Sequence, residues 1–310
     1  KHKDWVIHLP NRDEYYFRNQ MVLDLSNPKV QDYVFGIVDN LMTKYPGIAY
    51  FKWDCNSPIT NIYSPYLKDQ QSHLYIEHVK GLYNVLERVK AKYPNLPMML
   101  CSGGGGRSDY EALKYFTEFW PSDNTDPIER IFIQWGYSHF FPSKTMAAHV
   151  TSWNKNASVK FRTDVAMMGK LGFDIRIHDM TPAEQEYCKG AVKNFNRLGS
   201  AILDGDLYRL VSPYEGNHSA VMYVNEATDK AVLFAFDIHP RYAETLQPVR
   251  LQGLDPEAQY EIKEINLLPD TKSILKCNGK TYSGEYLMKV GIPVFSGRQL
   301  ASRVIEISKK

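Results

Sequence analysis

The 310-residue sequence predicts an α/β fold, in which a (β/α)8 TIM barrel precedes an antiparallel β-sandwich. Up to Asp204, apolar runs typical of buried strands alternate with amphipathic helical stretches, as in parallel strands joined by helices. After Asp204 the apolar segments become short, alternate with polar residues and are separated by Gly, Asp, Asn and Pro, as in antiparallel sheets. We therefore predict a barrel domain over residues 1–204 and a β-sandwich over residues 205–310.

The barrel is predicted to be incomplete at its N-terminal side. Its six parallel strands are expected at residues 20–25, 48–53, 98–101, 116–121, 146–150 and 173–177. A closed (β/α)8 barrel has two more, so either the sheet is open or two strands lie upstream of Lys1. Polar residues at the strand ends favour the barrel, in which these are strands 3 to 8, and the lack of an initial Met agrees with two strands upstream.

Capping residues mark the starts of two predicted helices. Asn27 precedes Pro28, and Thr181 precedes Pro182 with Glu184 in the first turn, which are the residue types that favour helix N-termini. Helices are predicted at residues 28–43, 71–92, 110–115, 127–140, 161–170 and 182–203, and antiparallel strands at 207–210, 219–224, 231–236, 247–251, 259–264, 281–283 and 303–307.

Composition excludes several functional classes. The formal net charge is +2 and no basic block precedes the terminal lysines, so neither nucleic acid nor a membrane surface is an expected partner. No apolar run approaches the ~18 residues of a membrane span. The four Cys residues lack metal-type spacing, and we predict neither a metal nor a cofactor. The compartment stays open between the cytoplasm and the periplasm or exterior.

Two acids that follow predicted strands are the candidate catalytic groups. Asp54 ends the strand that contains Lys52 and Trp53, and Asp123 follows the strand that ends at Trp120. Carboxyl ends of barrel strands converge on one mouth, and cleavage of a glycosidic bond uses a facing pair of carboxylates. We expect Asp54 and Asp123 to face each other across one cleft. The alternative for Asp54 is a turn or helix cap.

Neighbouring residues sharpen these assignments. Lys52 and Asp54 are expected on one strand face and Trp53 on the other, and a nearby ammonium favours an ionised carboxylate. Asp126 competes with Asp123, but its position before Pro127 favours a helix cap or an ion pair with Arg130.

Residues 101–107 form a glycine-rich loop after a predicted strand. The loop lacks the Lys of a phosphate-binding loop and the spaced glycines of a dinucleotide site. Bare backbone lets a ligand approach closely, so the loop suits a sugar; the alternative is a flexible loop without a ligand. Arg18 is a candidate for binding a hydroxyl or carboxylate, and Asp24 for a structural or supporting acid.

Three further residues are weaker candidates for a functional role. They are His149, Asp164 and Asp174, and we expect Asp174 to form an ion pair with Arg176 on one strand face.

Four blocks closely resemble glycoside hydrolase family 36 α-galactosidases. They are RNQMVLD at residues 18–24, KWD at 52–54, CSGGGGR at 101–107 and SDNTD at 122–126, in the order and near the spacing of that family. The resemblance covers residues 1–204 and implies a retaining α-galactosidase that acts on galactose-containing oligosaccharides, with Asp54 as nucleophile and Asp123 as general acid/base.

The resemblance also implies binding roles. Arg18 and Lys52 would hydrogen-bond the galactose ring, and Cys101 and Gly103 would lie beside its 2-hydroxyl. Asn56 and Trp120 complete the predicted substrate-binding set. Family analogy suggests a homotetramer and no cofactor.

The sequence departs from the family pattern at two positions near Asp123. Asn124 replaces a common Asp and Pro121 a common Thr. Three alternatives remain: galactosyl transfer as in raffinose-family synthases, α-N-acetylgalactosaminidase activity, and a sugar-binding module without catalysis.

Overall fold

The computed structural model describes residues 2–13 and 16–310, which divide into two units, Lys1–Trp120 and Pro121–Lys310. Parallel strands occur in both units, and an antiparallel sheet occurs in the second. The two expected kinds of β-structure are therefore both present. Short 3-10 helices lie at Lys3–Trp5, Phe17–Asn19, Gln71–His73, Ala112–Lys114, Ser143–Thr145, Ile177–Asp179 and Glu226–Thr228.

A three-stranded parallel sheet organises the first unit. Strands β1 (Phe51–Asp54), β2 (Met98–Cys101) and β3 (Glu118–Phe119) are arranged in that order. Helices α1 (Pro28–Lys44) and α2 (Leu74–Lys92) precede β1 and β2. All four residues of β2 are buried, which is expected of a central strand covered on both faces.

The strand predicted at residues 20–25 is wrong. In its place Val6 and Leu23 form an isolated antiparallel bridge. The amide of Asp24 donates to the carbonyl of Trp5 at 2.8 Å, and the amide of Ile7 donates to the carbonyl of Val22 at 3.0 Å. The segment therefore satisfies its backbone with residues 5–7, and the described residues contain five parallel strands instead of the six expected.

The second unit begins with helices around a short parallel pair. Its elements are α3 (Pro127–Tyr137), β4 (Ala147–Thr151), α4 (Val159–Ala166), β5 (Lys170–Asp174) and α5 (Pro182–Asp204). β4 pairs with β5, from Ala147 opposite Lys170 to Thr151 opposite Asp174. The last parallel strand thus begins three residues earlier than predicted, because Lys170 already pairs, its amide donating to Met146 O at 2.8 Å.

A six-stranded antiparallel sheet forms the rest of this unit. Its strands are β6 (Asp206–Val211), β7 (His218–Asn225), β8 (Lys230–Asp237), β9 (Gln259–Ile265), β10 (Thr281–Ser283) and β11 (Ala301–Lys309), with helix α6 (Gly284–Lys289) after β10. The order across the sheet is β10-β9-β11-β8-β7-β6. The strand predicted at 247–251 is reduced to one bridge between Val249 and Ile292.

Both faces of this sheet are covered. Val221, Phe234 and Val304 pack with helix residues such as Phe161 and Leu198 in one core. On the opposite face, alternate residues of the same strands pack against the segments around Val249, Leu251, Ile292 and Val294. The period-2 alternation of strand side chains places successive residues in different cores. Among the described residues, no helix is long and apolar enough to cross a membrane.

Candidate active site

Strand β1 presents Lys52 and Asp54 on one face. Both side chains are exposed, whereas Phe51 and Trp53 are half-buried, and the Trp53 ring meets Phe116 edge-on at 6.5 Å between centroids. The prediction that Lys52 and Asp54 share a face is confirmed. An exposed carboxylate at the carboxyl end of a parallel strand is free to meet a ligand.

Cys101 lies directly beside Asp54 on the neighbouring strand. Its side chain is buried, and this burial raises the pKa of the thiol to about 11, with the Asp54 carboxylate pushing in the same direction and Lys52 opposing it. At neutral pH Cys101 is therefore a neutral thiol, suited to packing or weak hydrogen bonding and not to nucleophilic attack.

Hydrogen bonds join the glycine-rich loop to the end of β1. The Ser102 hydroxyl donates to Cys55 O at 2.7 Å, and the amide of Gly103 donates to Asn56 Oδ1 at 2.6 Å. Arg107 adds two further bonds. Its Nε donates to Ser102 Oγ at 3.1 Å, and its Nη2 donates to Ser57 O, three residues after the end of β1, at 3.0 Å. These hydrogen bonds tie the loop to the residues that follow β1.

Arg18 reaches the same loop from the N-terminal segment. The Ser57 hydroxyl donates to Gln20 O at 3.1 Å, which ties residues 17–20 to the end of β1. A Cβ placed on Gly103 would lie 3.8 Å from Arg18 Nη1, and Gly103 has a left-handed φ of 56°. Arg18 of the N-terminal block and Asn56, just after β1, thus both lie near Gly103 of the glycine-rich loop.

Trp120 contacts Lys52, which is the second basic residue predicted at this site after Arg18. The Lys52 ammonium lies 5.1 Å from the centroid of the Trp120 ring, a cation–π arrangement. Trp120 is buried, and its amide donates to Leu100 O at 2.9 Å. Its ring therefore positions Lys52, which leaves the ammonium near the carboxyl end of β1.

Asp123 belongs to the second unit and lies on an exposed loop before α3. Buried Arg130 holds this loop: its Nε donates to Asn124 O at 2.8 Å and its Nη2 to Ser122 O at 2.7 Å. Burial lowers the pKa of Arg130 to about 10, while the Asp123 carboxylate opposes that shift. The residues on both sides of Asp123 are thus anchored to one guanidinium.

Asp126 caps α3, which was one of its two predicted roles; the other was an ion pair with Arg130. Its Oδ1 accepts from the amide of Ile128 at 2.9 Å and of Glu129 at 3.2 Å. Next to it, Thr125 Oγ1 lies 2.8 Å from Thr151 Oγ1, so the Asp123 loop sits at the carboxyl end of β4.

The weaker candidates have structural partners. Asp174 pairs with His149 at 2.9 Å, instead of the Arg176 partner that we predicted. The buried carboxylate of Asp164 accepts hydrogen bonds from Tyr187 at 2.9 Å and from Ser302 at 2.7 Å. Asp24 is likewise fully buried.

Comparison with known proteins identifies the family of this chain. The sequence model of the Melibiase family matches residues 1–205, and that of the glycosyl hydrolase family 36 C-terminal domain matches residues 218–307. The chain belongs to glycoside hydrolase family 36.

Relatives of this family 36 chain carry one activity in their names. Alpha-galactosidase AgaA from Geobacillus stearothermophilus is 35% identical over 94% of this chain and 39% of its own length. Probable alpha-galactosidase C from Aspergillus terreus is 34% identical over 98% of this chain and 39% of its own length. The chain thus spans about two fifths of the curated relatives that it matches.

Solved structures agree with this assignment. The crystal structure of the GH36 alpha-galactosidase AgaB from Geobacillus stearothermophilus superposes with a TM-score of 0.91 at 33% identity, covering 100% of this chain and 42% of that one. A variant of AgaA, at 31% identity and a TM-score of 0.90, over 100% of this chain and 42% of that one, was crystallised in complex with raffinose.

Three residues of the family 36 chain have supporting roles that its sequence did not indicate. Arg107 is named there only as the end of the glycine-rich block and Arg130 only as a possible partner of Asp126, and Asn154 is not named. All three donate to oxygens outside their own block or element. Only their polarity beside the conspicuous blocks could have signalled these bonds. Within residues 2–13 and 16–310, no group of three His, Cys, Asp or Glu residues could hold a metal ion.

Proposed function

We propose that the chain carries both catalytic carboxylates of a retaining α-galactosidase, with Asp54 as nucleophile and Asp123 as general acid/base. The observation that carries this proposal is the exposed Asp54 at the end of β1, next to a loop that hydrogen bonds hold in place. The names of the relatives and the raffinose complex of AgaA support galactosides as substrates.

In the first step the Asp54 carboxylate attacks the anomeric carbon of a terminal α-linked galactose. The bond from that carbon to the leaving oxygen breaks, and the proton of Asp123 passes to this oxygen, which departs as a free sugar hydroxyl. Galactose is then joined to Asp54 as a β-linked ester, and Asp123 is a carboxylate.

In the second step a water molecule replaces the departed sugar. Asp123 takes one proton from this water, whose oxygen attacks the anomeric carbon and displaces the Asp54 carboxylate. Galactose leaves with its α-configuration, Asp123 is protonated again, and both acids are restored. Two inversions give net retention.

Other residues of the first unit bind the sugar in this proposal. Arg18 and Lys52 donate to galactose hydroxyls, and Cys101 and Gly103 form the wall beside the 2-hydroxyl. Asn56 holds Gly103 through its 2.6 Å hydrogen bond. Trp120 acts through the Lys52 ammonium that lies over its ring.

We also propose that the parallel strands belong to a (β/α)8 barrel, with residues 1–204 as barrel and 205–310 as a β-sandwich. The two family matches, which end at 205 and begin at 218, support this division. The bridge between Val249 and Ile292 supports a second layer over the six-stranded sheet.

Azide rescue tests the role of Asp54. In the full-length protein, Asp54→Gly should abolish hydrolysis of an aryl α-galactoside, because no nucleophile remains, and added azide should restore turnover with β-galactosyl azide as product. Asp69→Gly, which removes another exposed carboxylate of the same unit, is the matched control and should retain activity. Normal hydrolysis by Asp54→Gly would refute the assignment.

A further inference from the structure

We infer that Trp153 is the platform on which the departing sugar stacks, so that this chain favours galactosides whose leaving group is a saccharide over those with a leaving group that cannot stack. This inference rests on the proposed function and deepens it. The indole is 62% exposed. A large exposed aromatic side chain on an anchored backbone is a common form of ligand contact, because little flexibility is lost on binding.

The backbone just before Trp153 is anchored by three hydrogen bonds. The amide of Ser152 donates to Asp174 O at 3.2 Å, and its hydroxyl accepts from the amide of Arg176 at 2.9 Å. Arg162 Nη1 donates to Thr151 O at 3.0 Å. The ring is thus presented from the joined carboxyl ends of β4 and β5.

The same loop is joined to the loop that carries the general acid. Asn154, the residue after Trp153, donates from Nδ2 to Thr125 Oγ1 at 2.6 Å, and Asn156 donates to the carboxylate of Asp126. Thr125 is two residues from Asp123. Since Asp123 protonates the leaving oxygen in the proposed mechanism, a platform on this loop is placed for the leaving group and not for the galactose ring.

The cleft beside Trp153 fits a neutral polyhydroxylated ligand. It has a volume of about 650 Å³ and is lined by Lys155, Asp174, Arg176 and Asp179 as well as the indole. Two basic and two acidic side chains balance in charge, which disfavours an ionic ligand. Alternating charged donors and acceptors around an aromatic face bind sugar hydroxyls and a sugar ring together.

Two substrates separate this role from catalysis in general. Raffinose has a disaccharide leaving group, whereas α-galactosyl fluoride has none that could stack. In the full-length protein we expect Trp153→Ala to lower kcat/KM for raffinose about ten-fold, mainly through KM, and to leave the fluoride unchanged. Trp153→Phe should recover most of the loss, and sucrose should inhibit fluoride hydrolysis less in Trp153→Ala than in the parent.

The matched control is Tyr242→Ala, which removes a fully exposed aromatic ring from the loop after β8 and should change kcat/KM for neither substrate. Equal losses on raffinose and fluoride, or no loss on raffinose, would overturn the platform while leaving the α-galactosidase proposal intact. A parent protein that hydrolyses neither substrate would instead overturn the proposed function, and the platform with it.

Discussion

Arg130 and Asp123 are joined through the backbone on either side of the acid. The guanidinium donates to the carbonyls of Ser122 and Asn124, at 2.7 and 2.8 Å, and to Ala147 O on β4 at 3.3 Å. A planar cation with five donors can hold several carbonyls at fixed angles, which an ammonium cannot. The carbonyls on both sides of Asp123 are therefore held by one buried side chain.

Replacing Arg130 by Lys should weaken the acid-catalysed step. We expect kcat/KM for raffinose to fall by about ten- to hundred-fold because Asp123 is no longer held in position, whereas α-galactosyl fluoride, which needs no proton donor to its leaving group, should lose less. Steady-state kinetics on both substrates measure the difference. The control is Arg88→Lys, which alters a surface pair with Asp32; equal losses on both substrates would contradict a positioning role.

Asp164 should be essential for the stability of the second unit. Its carboxylate accepts from Tyr187 on α5, Ser302 on β11, Asn266 just after β9, and Lys160 on its own helix α4. Removing a buried acceptor leaves these donors unpaired, so Asp164→Ala should lower the free energy of unfolding by about 3 kcal/mol.

Urea denaturation of the full-length protein measures this loss. Asp204→Ala is the matched control, because its pair with Lys144 lies on the surface and contributes at most about 1 kcal/mol. An Asp164→Ala variant as stable as the Asp204→Ala variant would show that the buried cluster is not important for stability.

Local rules predicted the helix starts and the acid-bearing strand ends from sequence. Thr181 with Glu184 forms the capping box that the pattern indicated, and Asp126 caps α3. These features depend on residues only three or four apart. Side chains in β1 alternate as expected for the same reason.

The features that the sequence did not predict depend on partners that are distant in the chain. The apolar run at 20–25 has strand character, yet the amide of Asp24 donates to Trp5 O and the carbonyl of Val22 accepts from the amide of Ile7. In the sequence Asp164 is only a weak functional candidate and Arg130 a possible partner of Asp126, whereas tertiary contacts bury both side chains. A pattern of residue types does not specify which distant carbonyl or hydroxyl will satisfy a buried charge.

Asn56 should tune the glycine-rich loop. Its Oδ1 accepts from the amide of Gly103, and this bond holds a glycine in a left-handed conformation, with φ of 56°. Asn56→Ala should raise KM for galactosides several-fold with a smaller change in kcat, since the wall beside the sugar loosens in the ground state and the transition state alike.

Initial-rate measurements with raffinose and with α-galactosyl fluoride check this effect. Both substrates should be affected equally, because the loop contacts the galactose part that they share. Asn95→Ala, at an exposed turn before β2, is the control. A loss confined to raffinose would place Asn56 on the leaving-group side and contradict the proposed wall.

His78 should make stability depend on pH. It is buried in α2, and its Nδ1 has no hydrogen-bond partner among the described residues. Burial lowers its pKa to about 4; the charge of Arg107 acts in the same direction, and Asp24 opposes it. An unfolded chain titrates this imidazole near about 6.5, so the folded protein resists a proton that the unfolded chain accepts.

The difference between the folded and unfolded pKa of His78 fixes the direction in which stability changes with pH. Between about pH 6.5 and about pH 4 the unfolded state binds more protons, so stability falls as pH falls, by at most ~1.4 kcal/mol per pH unit from this one group. His78→Leu removes both the titration and the unpaired nitrogen. Urea midpoints at about pH 5 and about pH 8 should therefore differ less in His78→Leu than in the parent, whereas His73→Leu, at an exposed position beside the same helix, should keep the parental difference. An unchanged pH dependence in His78→Leu would mean that other groups cause the acid sensitivity.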